Sequence, residues 1–210
     1  MNKIYICNIR DLYNEELYKL AYSKISTERK NKVDSLGVYN DKCLNIVSEL
    51  LVKKITNNSN IIYNEYGKPY VENNSIYFNV SHSKEYVICA TSDDEVGCDI
   101  EFIKDVNINV AKRYFCFDEY QTIIKQDNIL DTFYKYWVLK ESFIKNIGLG
   151  LKQRLDSFCI DLDSLTVKQN INNNNYYFHL YELDNYKYAI CLLNKEDVLI
   201  EYIDIKDLIN

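Results

Sequence analysis

Apolar and polar positions change period several times along the chain, and the changes divide it into recognisable elements. KIYICNI (3–9) reads as a strand, and two helical patterns follow around NEELYKLAYSKIS (14–26) and DKCLNIVSELLVKKI (41–55). In the second, Leu44, Val47 and Leu51 recur at the spacing of one helix face. IYFNV (76–80), YVICAT (86–91) and EVGCDIE (95–101) then read as short strands, with SDDE (92–95) as the turn between the last two. From about residue 106 the period is helical again through VAKRYF, DEYQTIIKQ and the long DTFYKYWVLKESFIKNI. Four strand-like runs, FCIDL, YYFHLYEL, YKYAICLL and LIEYID, close the chain.

Helices with a small, largely antiparallel sheet thus occur twice, which predicts an α+β fold in two halves, 1–103 and 104–210. The segment Phe102–Asp105 has no Pro/Gly/Ser-rich linker, so the halves are expected to pack closely, with a ligand cleft between them. No internal repeat is visible in the letters. Asn172–Asn175 reads as a loop between two strands.

Composition narrows the function. With 47% hydrophobic residues in 210, the chain can bury a core without a disulfide or structural metal. A net charge of −6 has the wrong sign for affinity built on neutralising nucleic-acid phosphates. The seven cysteines form no CxxC pair and mostly sit in apolar runs, so they read as reduced core thiols of a cytoplasmic protein. MNKIYICNIRDLY is interrupted by Arg10 and Asp11 and does not read as a secretory leader, and no apolar run is long enough to span a membrane.

Four segments carry candidate chemistry. EYGKPY (65–70) sets Lys68 in a tight turn. In FNVSHS (78–83), His82 lies between two hydroxyls. Asp99 and Glu101 in VGCDIE leave one face of a strand, and such an oxygen-only pair among apolar neighbours suits Mg²⁺ better than Zn²⁺. YWVLKESFIK (136–145) places Trp137, Lys140, Glu141 and Lys145 on adjacent helical turns. Taken singly, these segments also fit an ordinary surface turn, a structural histidine, a solvated strand face and a surface salt bridge. No P-loop, GxGxxG or nucleophile elbow accompanies them.

In that order along the chain, EYGKP, FNVSHS, VGCDIE and W-x-x-KES-x-x-K closely resemble the motif series of the 4'-phosphopantetheinyl transferases, particularly the larger monomeric kind that activates surfactin synthetase. The KIY strand, the STERKNK segment and YKYAICLL are similar too. The resemblance implies two α+β halves related by a pseudo-twofold axis, with coenzyme A between them. The implied reaction is transfer of phosphopantetheine from coenzyme A to a serine of an apo acyl or peptidyl carrier protein, releasing adenosine 3',5'-bisphosphate.

Carried over by residue, the resemblance implies that Asp99, Glu101 and Glu141 hold Mg²⁺, with Mn²⁺ as the alternative. Glu141 would deprotonate the serine, directly or through a ligated water. Lys145, and with less support Lys140, would bind phosphate oxygens. His82 and Lys68 would lie near the 3'-phosphate or the adenine-ribose portion, with Arg29 and Lys32 extending the basic patch. The family commonly places an arginine early on the second helix, where this chain reads Leu44 and Asn45; Lys42 is an imperfect substitute.

An acidic enzyme and an acidic carrier are not steered together by net charge, so Tyr114, Phe115 and Phe117 are the expected carrier surface. The enzyme is expected to act as a monomer. Two alternatives remain at this level: a metal-dependent phosphodiesterase or pyrophosphatase using the same carboxylates, and a non-catalytic module binding coenzyme A or a carrier.

Overall fold

The computed structural model describes residues 1–73 and 75–210, apart from the Leu151 side chain. β1 (Asn2–Asn8) is followed by α1 (Glu15–Lys24), α2 (Thr27–Ser35) and α3 (Tyr39–Ile55). The hairpin of β2 (Ile61–Tyr63) and β3 (Pro69–Val71) leads to β4 (Tyr77–Ser83), β5 (Tyr86–Ser92) and β6 (Gly97–Phe102). Then come α4 (Asn109–Tyr114), α5 (Phe117–Ile124) and α6 (Ile129–Ile147). Five strands, β7 (Cys159–Asp161), β8 (Thr166–Lys168), β9 (Tyr177–Leu183), β10 (Tyr186–Leu192) and β11 (Val198–Tyr202), precede the short α7 (Ile205–Ile209). Among the described residues no helix is long and apolar enough to cross a membrane.

Local chemistry accounts for the helix limits. Ser26 accepts from the Arg29 amide and starts α2, while Asn128 accepts from the Asp131 amide and starts α6. Gly148, at φ 68°, ends α6 in the left-handed conformation that costs glycine least.

The strand orders β11-β1-β5-β4 and β6-β10-β9-β8-β7 contain one unit twice. In each unit a first strand (β1, β6) precedes a long helix (α3, α6) and a hairpin, whose second strand pairs antiparallel with the first. The hairpin strands begin at residues 77 and 86 in one unit and 177 and 186 in the other. Strand pairing therefore cuts across the expected division at 103/104. β6 pairs with β10 from Gly97–Cys191 to Phe102–Tyr186, whereas β11 returns to lie parallel to β1. The unit begins before β6, at the 92–95 turn; resumption of the helical period marks only the end of its first strand.

α3 packs over one sheet and α6 over the other. A third apolar cluster joins the sheets, with Ile4, Ile6, Ile88 and Ala90 meeting Val96, Cys98, Ile100, Tyr188 and Ile190. α6 approaches β6 so closely that a Cβ on Gly97 would stand 2.0 Å from the Ser142 carbonyl oxygen and 2.3 Å from the Asn146 nitrogen. Backbone on both sides cannot yield cheaply. Gly97→Ala is expected to destabilise the fold by about 3 kcal/mol, the upper range for overpacking, measurable by urea unfolding.

One expectation about the cysteines is corrected. Cys116 and Cys159 are joined by a disulfide, which ties the start of α5 to β7, while Cys7, Cys43, Cys89, Cys98 and Cys191 are free and buried. The pair lies far apart in sequence and becomes adjacent only when α5 docks beside β7.

Candidate active site

A cavity of about 990 Å³ opens between the two units, walled by α2, α3, the β2–β3 hairpin, β4, β6 and α6. Its size suits a cofactor-sized ligand. Along one wall β4 and β6 run side by side, but side chains bridge them. Asn79 Oδ1 accepts from the Cys98 amide at 3.0 Å, and Ser83 Oγ accepts from the Phe102 amide at 3.1 Å. The near-constant sequence offset of these contacts makes the strands parallel. A wall of this kind satisfies the outer edge of β6 while leaving room for polar side chains.

The acidic residues occupy that seam. Ser81 Oγ donates to Asp99 Oδ1 at 2.8 Å, and Ser83 Oγ donates to Glu101 Oε2 at 2.9 Å. From α6, Lys145 Nζ donates to Asp99 Oδ1 at 2.7 Å and to Ser81 Oγ at 2.8 Å. Asp99 is 3% exposed, and its Oδ2 is buried without a hydrogen-bond partner among the described residues. A buried acceptor left this way is costly unless something outside the chain satisfies it.

Asp99, Glu101, Glu141 and Lys145 all line the cavity, together with Arg29, Lys32 and His82. Burial and the neighbouring Asp99 carboxylate push the Glu141 carboxyl up to about 7, and the same two causes raise Glu101. Burial opposes charge on Lys145, but Asp99 outweighs it and raises the ammonium above its usual value. Desolvation, then the Lys145 and Lys32 charges, hold the His82 imidazole below its usual range. No three acidic, imidazole or thiol groups among the described residues gather into a ready cation cage. The three acids instead share one wall, with the Lys145 ammonium set against Asp99.

Four expectations are corrected. Lys68 does not line the cavity: Gly67, at φ 86°, turns the chain so that Lys68 Nζ reaches Glu95 and the Asn146 carbonyl at 2.6 Å, tying the hairpin to the end of α6. Lys140 is fully buried on the opposite face of α6 from the site, with Nζ 2.7 Å from Glu119 Oε1 and 2.9 Å from the Phe158 carbonyl. It forms a core ion pair with Glu119 and does not line the cavity. Lys42 stands on the first turn of α3, beyond the cavity wall, which begins at Asn45. Phe115 is core, stacked on Phe133 at 5.6 Å, whereas Tyr114 and Phe117 are 43% and 74% exposed.

Sequence reading missed Ser81, Ser83, Asn45 and Glu49. The serines carried a signal: they are spaced two apart on a strand, as are Asp99 and Glu101, so the pairs can match tooth for tooth.

Known proteins resemble this chain along most of its length. A family profile of the 4'-phosphopantetheinyl transferase superfamily matches residues 95–191, the second structural unit. The chain is 33% identical over 193 residues to the 4'-phosphopantetheinyl transferase gsp of Aneurinibacillus migulanus, covering 86% of this chain and 81% of that protein. It is 34% identical over 197 residues to the 4'-phosphopantetheinyl transferase Sfp of Bacillus subtilis strain 168, covering 87% of this chain and 88% of the relative.

Proposed function

This chain belongs to the 4'-phosphopantetheinyl transferase superfamily, and on that premise we propose that it moves phosphopantetheine from coenzyme A to a serine of an apo carrier protein at the seam of β4, β6 and α6. The observation that carries the assignment of the site is the single cavity wall bearing Asp99, Glu101, Glu141 and Lys145.

The carrier hydroxyl oxygen attacks the phosphorus attached to pantetheine. The P–O bond to the second phosphate breaks, and adenosine 3',5'-bisphosphate departs. Glu141, on the cavity lining, accepts the serine proton at a carboxylate oxygen, directly or through a water. Lys145 holds its ammonium beside Asp99 and presents positive charge to the developing phosphate oxygens. Ser81 fixes both of these groups from β4.

Asp99, Glu101 and Glu141 are the residues to hold a divalent cation, Mg²⁺ or Mn²⁺; the orphaned buried Asp99 Oδ2 and the purely oxygen donor set fit a hard ion. Such an ion supplies charge neutralisation at the pyrophosphate. His82, Arg29 and Lys32 are the positions for the 3'-phosphate, and exposed Tyr114 and Phe117 remain for the carrier.

Incubation with an apo carrier, coenzyme A and Mg²⁺ is expected to add one phosphopantetheine mass to the carrier. No gain across a panel of acyl and peptidyl carriers, with coenzyme A hydrolysed instead, would favour a phosphodiesterase.

A second expectation follows from the raised carboxyls. In the cation-free fold Glu141 and Glu101 retain protons at pH values where the unfolded chain has lost them, so the folded state binds more protons and stability falls as pH rises from the usual 4.5 towards about 7. A divalent ion favours the ionised forms. Added Mg²⁺ should therefore raise Tm more at about pH 8 than at about pH 5, read by calorimetry; a shift equal at both would remove these carboxyls from the ion's ligands.

A further inference from the structure

Arg29 does not lie loose on the cavity wall. Its Nε donates to Glu49 Oε2 at 3.2 Å and its Nη1 to Asn45 Oδ1 at 3.1 Å, and both acceptors stand on α3, one turn apart. Glu49 is itself fully engaged: Oε1 accepts from the Ser26 amide at 2.6 Å and from Lys53 Nζ at 2.8 Å, while Oε2 also accepts from Ser26 Oγ at 3.0 Å. Asn45 is 7% exposed, and its amide is oriented by donation to the Asp41 carbonyl at 2.9 Å. Two different sides of the guanidinium, Nε and Nη1, are thus each held by a fixed acceptor, and among the described residues Nη2 makes no hydrogen bond. Arg29, Asn45 and Glu49 all border the cavity.

We infer that Asn45 and Glu49 are positioning residues that fix the plane of the Arg29 guanidinium, so that its free Nη2 group receives the 3'-phosphate of the co-substrate. This deepens the transferase reading and rests on it. A planar guanidinium with two donors already committed cannot swing among rotamers, so less ordering entropy is lost when the phosphate binds. Glu49 is also charge-balanced by Lys53, so its carboxylate does not cancel the Arg29 cation outright. The arrangement answers the absence of an arginine at Leu44 or Asn45: the cation comes from α2, and α3 supplies the polar acceptors that aim it.

The test compares KM for coenzyme A with KM for its 3'-dephospho form in Asn45→Leu, Arg29→Leu and the double variant. Asn45→Leu should reduce the wild-type preference for the 3'-phosphorylated co-substrate about tenfold, through KM and with kcat held. In the Arg29→Leu background the same change should have little further effect, since a residue acting through Arg29 has nothing left to aim. Asn45→Asp, which keeps the acceptor oxygen, should recover part of the preference. Additive losses in the double variant, or equal losses for both co-substrates, would make Asn45 a merely structural helix residue and overturn the inference while leaving the transferase intact. A wild-type protein that modifies no carrier would instead overturn the reading on which the inference rests. Should Asn45→Leu not fold, Glu49→Gln is the substitute, expected to weaken the same preference in the same direction.

Discussion

Asp99→Ala should lower phosphopantetheine transfer by about a thousandfold or more and remove the Mg²⁺-dependent rise in Tm in the same protein. The carboxylate is 3% exposed and is the only group that joins β6 to both Ser81 and Lys145 among the described hydrogen bonds. Its loss frees the Lys145 ammonium from the position at which it can meet the pyrophosphate. It also removes the one buried side-chain oxygen that nothing among the described residues satisfies. Asp99→Asn is the gentler variant, retaining shape and one acceptor while discarding charge, and it should fail nearly as badly if charge is what matters. Transfer is followed as carrier mass and cation binding as thermal shift. Mg²⁺-dependent turnover at near wild-type rate in either variant would take Asp99 out of the ion's ligands.

Lys140→Ala should cost about 3–5 kcal/mol of stability, roughly 10 °C in Tm for a chain of this size, while sparing the KM for coenzyme A. Lys140 and Glu119 are 0% and 1% exposed, and the lysine also lies 4.2 Å from the centre of the Phe158 ring. Burial pulls the lysine down to about 8 and raises the glutamate, while the charge of each partner opposes the other's shift. Glu119 additionally accepts from the Cys116 and Ile160 amides, at 3.0 and 2.7 Å, which makes it the knot between α5, α6 and β7. Truncating the lysine leaves that carboxylate buried and uncompensated. The pair Lys140→Met with Glu119→Gln should regain part of the loss, because no charge remains unpaired and glutamine still accepts from one of the two amides. A kinetic phenotype confined to coenzyme A affinity, with stability unchanged, would restore Lys140 to the phosphate site and refute the burial argument.

The contrast between these lysines shows what each level of information decided. Lys140 and Lys145 lie on one helix within a single motif, and the family resemblance implied a place near phosphate for both. Only the packing of α6, with one face towards Phe158 and the other towards the β4–β6 seam, separates a cation paired in the core from one that lines the cavity. Lys68 was misplaced for a similar reason: a glycine-directed turn can point a side chain outwards or inwards, and the end of α6 attracted it inwards.

By itself, the sequence determined most elements and the shared side of Asp99 and Glu101, because helix and strand periods are local properties of a chain. It also determined family membership, because ordered motifs survive when the rest of a sequence drifts. Tertiary structure alone decided that β6 joins the second sheet and β11 the first, that Cys116 bonds Cys159, and that Ser81 links Asp99 to Lys145. Each of these joins residues many positions apart, and their proximity depends on how two sheets and two long helices share one core, a property of the whole packing that no local period encodes.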